Sequence, residues 1–593
     1  MNSSSARFFA VTELAALVLP FLEVRDLSSV MRTCRVYYNL GLPLLYRTVD
    51  TEKHGKLLTH SECVRSFRRN LHHVREITCN RVFLDLYHRH TSSTPSSSRL
   101  NNLTHLTFIP KVHHNHLFRS NPRPNKQLVH LSHAMRLSPN LRSIVVDILP
   151  ISNEATLVDL NKVLKGCQKL ETMEMTLWIP ESQTKPVATS LFLSAPSCLK
   201  VFRIMLMNQN DLGFPFRPEL SDPNPWVQDY IRSLPQTPRT ALREWDIDGN
   251  CHFVFEDTLQ MLDKCPEIVT CCMPPYVTNL SDNYVAPLFL VYNPKLKSLA
   301  QWSKVPATQS SVIVSVAKIM PPRTLETFRY RGRPYTILPV GASLRPHFPS
   351  LINLALDCGV MLDSDTIRTI LVGCPNLEEC EFKFHSYIFL QDAVAKPWAS
   401  TKIRKLELGV DFGDLDKATL DQDWSKLSTK KKALLRQLEA FYRQIGSLTN
   451  LTHLDIKVRA ELKDNLSDPS DPFAGIGLCN YTDMYCPRMI KLGDGMMSRN
   501  RGWLNCLAGL KKLEVLCGSF AQDARRAESL LGQAEVEWIA TNWPKLTQAA
   551  FYYVDGEYPK KANERALPPH MKWLTKRRPN LDITTPLATL IGR

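Results

Sequence analysis

Cysteine and histidine are the side chains here best suited to metal ligation or nucleophilic chemistry, and the chain carries 16 of the first and 17 of the second. Structural zinc sites draw on closely spaced pairs of these residues. The nearest candidates, Cys265/Cys271, Cys374/Cys380 and Cys479/Cys486, are spaced too widely for such a knuckle. His113, His114 and His116 read as a solvated loop, and His453 falls in a strand pattern where a structural role is expected. Cys34, Cys79, Cys271 and Cys380 occupy apolar positions of helix or strand patterns and are expected to be buried free thiols. No HExxH, P-loop, Gly-x-Ser-x-Gly elbow or kinase signature is present, and Gly475-Ile476-Gly477 lacks the third glycine and preceding strand of a nucleotide fingerprint. Neither catalytic residues nor a metal or cofactor is expected, which directs attention to binding.

Lysine and arginine outnumber acidic residues by 73 to 57, a net charge of +16 that favours acidic partners without making nucleic acid the expected one. Hydrophobic residues make up 44% and charged residues 22%, the composition of a folded chain. The apolar stretch after Arg7 is interrupted by Glu13 and lacks a small-residue cleavage site, so it is not read as a signal peptide. No later run reaches the roughly 18 apolar residues of a membrane span, and an intracellular protein of cytoplasm or nucleus, without a membrane partner, is expected. The sequons at Asn102 and Asn450 each precede a predicted buried strand and read as chance occurrences.

What must position any binding residues is a repeat. Apolar residues recur at i, i+3 and i+5, as in Leu141/Ile144/Val146, Leu170/Met173/Met175, Leu199/Phe202/Ile204, Leu242/Trp245/Ile247 and Ile268/Cys271/Met273. The triplet continues through Leu325/Phe328/Tyr330, Leu351/Leu354/Leu356, Leu377/Cys380/Phe382 and Ile403/Leu406/Leu408, with a weaker copy at Leu296/Leu299. Earlier copies begin at Val74 and Leu103, later ones at Leu451, Leu513 and Leu546, with a truncated one at Leu581. Most steps are 26 to 29 residues. Positions i+3 and i+5 share one face of a short strand while the first residue turns inward just before it, and such strands find a continuous core only by stacking in parallel on their copies. Helical returns are predicted at Leu160/Val163/Leu164 before Cys167, Leu259/Leu262 before Cys265 and Ile367/Ile370/Leu371 before Cys374.

This strand, turn, helix, turn unit resembles the ribonuclease-inhibitor-like class of leucine-rich repeats over roughly residues 62 to 593, and the cysteine before Pro-x-Leu looks like its cysteine-containing subtype. The regular asparagine of the strand loop is missing, which puts uniform curvature in doubt. The fold class implied is α/β: a leucine-rich-repeat solenoid, a curved parallel sheet with outer helices, occupying residues 51–593. Two insertions break the period. One near 411–447 carries a predicted helix with Leu434, Leu438, Phe441 and Ile445 on one face and Lys430 to Lys432 on a solvated flank; the other, near 459–505, contains the breakers of Asp468 to Pro472. Thr91 to Ser98 reads as a flexible loop.

Residues 1–50 have a different periodicity. Leu14, Leu17, Val18, Phe21 and Leu22 form one helical stripe; Asp26 can cap a second helix with Leu27, Val30, Met31 and Cys34; a third segment carries Tyr37, Tyr38, Leu40, Leu44, Leu45, Tyr46 and Val49. Three short helices cannot hide this much apolar surface among themselves, so a partner is expected. The segment resembles a three-helix F-box: Glu13-Leu14, Val18, Leu22, Asp26-Leu27, Cys34-Arg35-x-Tyr37 and Leu45-Tyr46-Arg47 match its pattern, with Ala10-Val11 in place of Leu-Pro and tyrosines in place of two tryptophans. The segments Gly532 to Trp538, Asn542 to Leu546, Trp573-Leu574 and Arg578 to Leu581 are similar to large fungal F-box families. The resemblance implies a non-catalytic substrate receptor of a ubiquitin ligase. Leu14, Val18, Leu22, Leu27, Cys34, Tyr37, Leu45 and Tyr46 would dock a Skp-type adaptor of the cullin ligase, and the repeats would hold a protein target. A leucine-rich-repeat scaffold or basic binding protein with no ligase role, its helices merely capping the first repeat, is the alternative.

Overall fold

The computed structural model describes residues 12–54, 60–80, 83–85, 87–88, 100–109, 126–150, 154–178, 184–207, 239–249, 253–254, 261–273, 276–277, 282–302, 312–331, 340–357, 362–382, 386–413, 415, 417–458, 486–493, 497, 500–518, 522–523, 531–554 and 568–586. The expectations for Thr91 to Ser98, His113 to His116, Leu259, Asp468 to Pro472, Gly475 to Gly477 and Cys479 lie outside them, as does the side chain of Met273. Contacts divide the chain into two compact units, Met1–Ser281 with Leu288–Leu296, and Asp282–Pro287 with Lys297–Arg593.

The first unit holds the parallel strands β1 (Thr48–Asp50), β2 (Glu76–Cys79), β3 (His105–Phe108), β4 (Ser143–Pro150), β5 (Thr172–Trp178), β6 (Val201–Met207), β7 (Glu244–Gly249) and β8 (Thr270–Met273), each paired with the next. The register keeps repeat positions together: Ile77 lies opposite Leu106, Leu106 opposite Ile144, Ile144 opposite Met173, Met173 opposite Phe202, and Phe202 opposite Trp245. All six are buried, so the i+3 residues form one apolar file beneath the sheet. One strand precedes the expected start of the repeats, since Val49 is buried in β1 opposite Ile77.

In the second unit, β9 (Ser298–Trp302), β10 (Thr327–Arg331), β11 (Asn353–Asp357), β12 (Glu379–Phe382), β13 (Lys405–Asp411), β14 (His453–Val458), β15 (Val515–Gly518), β16 (Gln548–Val554) and β17 (Asp582–Pro586) again pair in parallel, in sequence order. Leu351, Leu354, Leu356, Leu377, Phe382, Leu406 and Leu408 are buried in these consecutive repeats, as the triplet predicts. Helices Glu154–Gly166 and Ser364–Gly373 form where the returns were expected and close on the buried Cys167 and Cys374. Each unit is thus a leucine-rich-repeat α/β layer of parallel strands alternating with helices.

The helix of the first insertion runs from Thr429 to Gly446 and buries Leu435, Leu438, Phe441, Tyr442 and Ile445. Leu434 is only half-buried, so the apolar face is rotated by one position from the one expected. Tyr442 accounts for the shift: its ring packs beside Phe441 and Trp503, and its hydroxyl donates to the Pro487 carbonyl at 3.2 Å. Among the described residues no helix is long and apolar enough to cross a membrane.

Candidate functional site

The N-terminal segment forms helices α1 (Thr12–Val18), α2 (Val24–Met31) and α3 (Arg35–Leu45), with a 3-10 turn at Leu19–Phe21. Their common core is small: Leu19, Leu27 and Met31 are buried, with Leu22, Val30, Leu40, Leu42, Leu44 and Leu45 packed around them. α3 approaches α2 through Gly41, where an added Cβ would stand 2.5 Å from Cγ of Met31. Asp26 does not cap α2; Glu23 holds the N-cap position, and Asp26 sits in the first turn, where its carboxylate complements the helix dipole.

The predicted stripe on α1 divides. Ala15 and Leu19 face the core, Leu14 and Leu22 are half-buried, and Leu17, Val18 and Phe21 turn outward. The change from α-helix to 3-10 helix after Val18, with Pro20 in the turn, breaks the phase that would have kept them on one face. Of the adaptor-docking candidates, Val18 is exposed, Leu14, Leu22, Tyr37, Leu45 and Tyr46 are half-buried, and Leu27 is fully inside, where it holds the helices together. Cys34 was expected to be buried. It is exposed and caps α3, its Sγ accepting from the Tyr37 amide at 3.5 Å. Tyr46 is tied to the first repeat, its hydroxyl 2.8 Å from Ser66 Oγ.

The most exposed apolar side chains of the segment are not among the docking candidates, although the sequence places Leu17 and Phe21 on the predicted stripe. Phe21 is 88% exposed, Leu17 66% and Val24 63%, with Val36 and Tyr38 about half-exposed on α3. The spacing of Leu17, Phe21 and Val24 is helical, but periodicity cannot say which of two apolar faces on a short helix meets the core.

Along the sheets, residues at i+2 and i+4 lie on the face opposite the buried triplets and carry polar groups. In the first unit Arg203 on β6 is clamped by Glu174 of β5 at 2.9 Å and Glu244 of β7 at 2.5 Å. In the second, Lys405 on β13 lies 2.9 Å from Glu381 and 3.2 Å from Glu407, and Arg329 on β10 lies 3.1 Å from Glu379. His453 Nε2 is 3.7 Å from Glu407, so this histidine belongs to the ionic face of the sheet. The buried cysteines carry no reactive thiolate: burial alone pushes Cys167 up to about 11 and Cys374 up to about 12. Among the described residues no group of three or more histidine, cysteine or acidic side chains is placed to hold a metal ion.

No protein-family model matches the chain, and no curated protein matches its sequence. Solved structures similar to it include the leucine-rich-repeat-containing protein LegL7 from Legionella pneumophila, 11% identical with a TM-score of 0.28, covering 54% of this chain and 84% of that one. Another is the Rad7 and Elc1 complex in yeast, 10% identical with a TM-score of 0.34, covering 92% of this chain and 96% of that one. A third is the TLR13–ssRNA13 complex, 11% identical with a TM-score of 0.27, covering 86% and 71%. The repeat assignment is carried by the strand register and the buried triplets of the chain itself.

Proposed function

We propose that the chain is a non-catalytic substrate receptor of a Skp/cullin/F-box-type ubiquitin ligase, docking its adaptor through the N-terminal helices and its protein target through the repeats. The observation that carries this reading is the apolar excess of those helices: Leu17, Phe21 and Val24 stand in solvent beside a small core in which Ala15, Leu19, Leu27 and Met31 are the buried hydrophobic residues among those described. An exposed apolar face of this kind is a mark of a docking surface, and aromatic and leucine anchors carry most of the affinity in such interfaces. The match of Leu14, Val18, Leu22, Leu27, Tyr37 and Tyr46 to the F-box pattern names the partner.

The bond from Tyr46 to Ser66 favours the alternative in which the helices only cap the first repeat of a scaffold. Co-expression with a Skp-type adaptor separates the two. Wild-type protein should retain the adaptor through purification. Phe21→Asp with Leu17→Ala should abolish retention without lowering the melting temperature, because neither side chain contributes to the helical core. Leu14→Ala with Tyr37→Ala should also release it. Wild-type protein that recovers no adaptor would leave the scaffold reading in place.

A further inference from the structure

Three histidines from two neighbouring elements of the first unit meet one another. Residues 83–85 and 87–88 are helical, in a turn whose Phe83 amide donates to Asn80 Oδ1 at 3.1 Å. Phe83, Leu84 and Tyr87 are its buried side, and the Phe83 ring stands 5.6 Å from Phe67 of the helix Ser61–Arg69. Its polar side chains Asp85 and His88 meet His130 and His133 of the helix Lys126–Arg136. Members of each pair are three residues apart and so share one helical face. The His88 ring stacks on His130 at 4.2 Å between centroids and meets His133 edge-on at 4.8 Å. His130 Nδ1 lies 2.6 Å from Asp85 Oδ1, and because a carboxylate only accepts, the ring is the donor. All three imidazoles are half-buried.

Neutral rings pack here as ordinary aromatic neighbours, whereas charged ones repel. The Asp85 carboxylate can offset one imidazolium, but a second and a third would stand at the stacking distance from the first, in a partly desolvated site where like charges interact strongly. Among the described residues the other charged group acting on the cluster is Arg136, which has the same sign and lies 3.9 Å from Asp159 of the helix Glu154–Gly166. Tyr87, its ring 6.5 Å from His133, stays neutral because burial raises its pKa. Burial first and neighbouring imidazoles second hold His88 and His133 below the ordinary value, with Asp85 opposing at His88. Closure is therefore favoured above about pH 6.5 and loses that support as the pH falls below it.

We propose that this cluster is an acid-operated latch: at neutral pH the stacked histidines hold the turn at residues 83–88 against the helix Lys126–Arg136, and as they take up protons the turn lifts away and bares Phe83 and Tyr87 while the neighbouring strands stay folded. Local opening of this kind needs only the contacts of one turn to fail, and histidine is the side chain that changes charge in this pH range. The latch uses none of the adaptor-docking residues and does not rest on the receptor reading.

The test is hydrogen exchange on full-length protein at pH 7.5 and pH 5.5, with labelling times scaled to the pH dependence of intrinsic exchange and peptides read by mass spectrometry. Peptides covering residues 83–88 should lose protection about tenfold at pH 5.5, the effect of one pKa unit on one proton, while those covering β5 and β6 should keep theirs. His88→Phe with His133→Phe retains two rings and removes two titrating groups, so its turn should stay equally protected at both pH values. Asp85→Asn removes the balancing carboxylate with little change of shape and should move the onset of opening to higher pH. Unchanged protection of the wild-type turn on acidification, an equal loss in β5 and β6, a loss that persists in the double phenylalanine variant, or an onset in Asp85→Asn that stays in place or moves to lower pH would each overturn the proposal.

Discussion

Single polar residues buried among the repeats explain local features that leucine spacing does not. His347 is fully buried, accepts the Leu325 amide on Nδ1 at 3.3 Å and lies with Nε2 2.9 Å from the Ala317 carbonyl, which fixes the neutral tautomer with the proton on Nε2. Burial lowers its pKa despite the Ala317 carbonyl, which pulls the other way. His88 is lowered as well, by burial first and then by His130, with Asp85 pulling the other way, and His133 by burial first and then by His88, Arg136 and His130. A histidine whose native pKa lies below its unfolded value takes up a proton more readily unfolded, so stability is full above about pH 6.5 and falls as the pH drops below it. Chemical denaturation at pH 7.5 and pH 5.5 should therefore give a lower midpoint at the acid pH, and His347→Phe should lower stability at pH 7.5 while flattening that dependence; equal midpoints in the wild type would refute it. Arg501 is a second case. Its side chain is wholly inside and donates to the carbonyls of Leu420 at 2.8 Å and Gln422 at 2.7 Å, tying the end of one insertion to the start of the other. Arg501→Ala strands those carbonyls and should cost about 2–4 kcal/mol in urea unfolding, with Arg501→Lys recovering only part because an ammonium cannot fork.

Between elements, the repeats are locked by a device that runs along the turns. Asparagines one position ahead of the triplet donate from Nδ2 to a carbonyl of the preceding turn: Asn102 to His72, Asn140 to Asn101, Asn376 to Pro349 and Asn450 to Thr401. Lysines at the same position of the next repeat then donate to the amide oxygen, as Lys169 does to Asn140, Lys402 to Asn376 and Lys512 to Asn450. The chain lacks the usual strand-loop asparagine but carries another at the entrance, and it gives the sequon residues Asn102 and Asn450 a structural job. A second series follows two positions later, where Glu171 lies between Arg142 and Lys200. Arginines from following repeats also cap helix ends: Arg239 donates to Leu193, Ala195 and Pro196, and Arg578 to Trp543 and Pro544. Beneath these polar locks the stacked leucines dominate. Leu354 is fully buried between Phe328 and Cys380 of the neighbouring strands, and Leu354→Asp would place a charge there with no partner. A loss of more than about 3 kcal/mol is expected, read as a lowered melting temperature; an unchanged one would contradict the stacking.

For the molecule as a whole, the distribution of free thiols reports on the fold. Cys79, Cys271 and Cys380 lie in the strand files and are buried, whereas Cys34 is exposed at a helix cap. Maleimide labelling of native protein followed by peptide mapping should modify Cys34 and spare those three, which should react only after denaturation. Labelling of Cys271 or Cys380 in native protein would show that the stacked core opens locally.

What the sequence by itself determined is the repeat: its triplets, parallel pairing, helical returns and the buried cysteines at their ends. Each of these follows from short-range spacing, because a strand with one apolar face has a single way to hide it against its own copy. Tertiary structure alone decided which of several apolar faces on α1 meets the core, why Cys34 is exposed, and why the insertion helix buries Leu435 where Leu434 was expected. Those outcomes depend on packing between separate elements, such as Met31 of α2 against Gly41 of α3 and, far along the chain, Trp503 against Tyr442. The clamp on Arg203 was equally hidden, since its carboxylates stand 29 and 41 residues away and meet only when three strands align. Periodicity reports whether a residue faces inward, but the chemistry of the outward face arises from the register between strands, which no single segment contains.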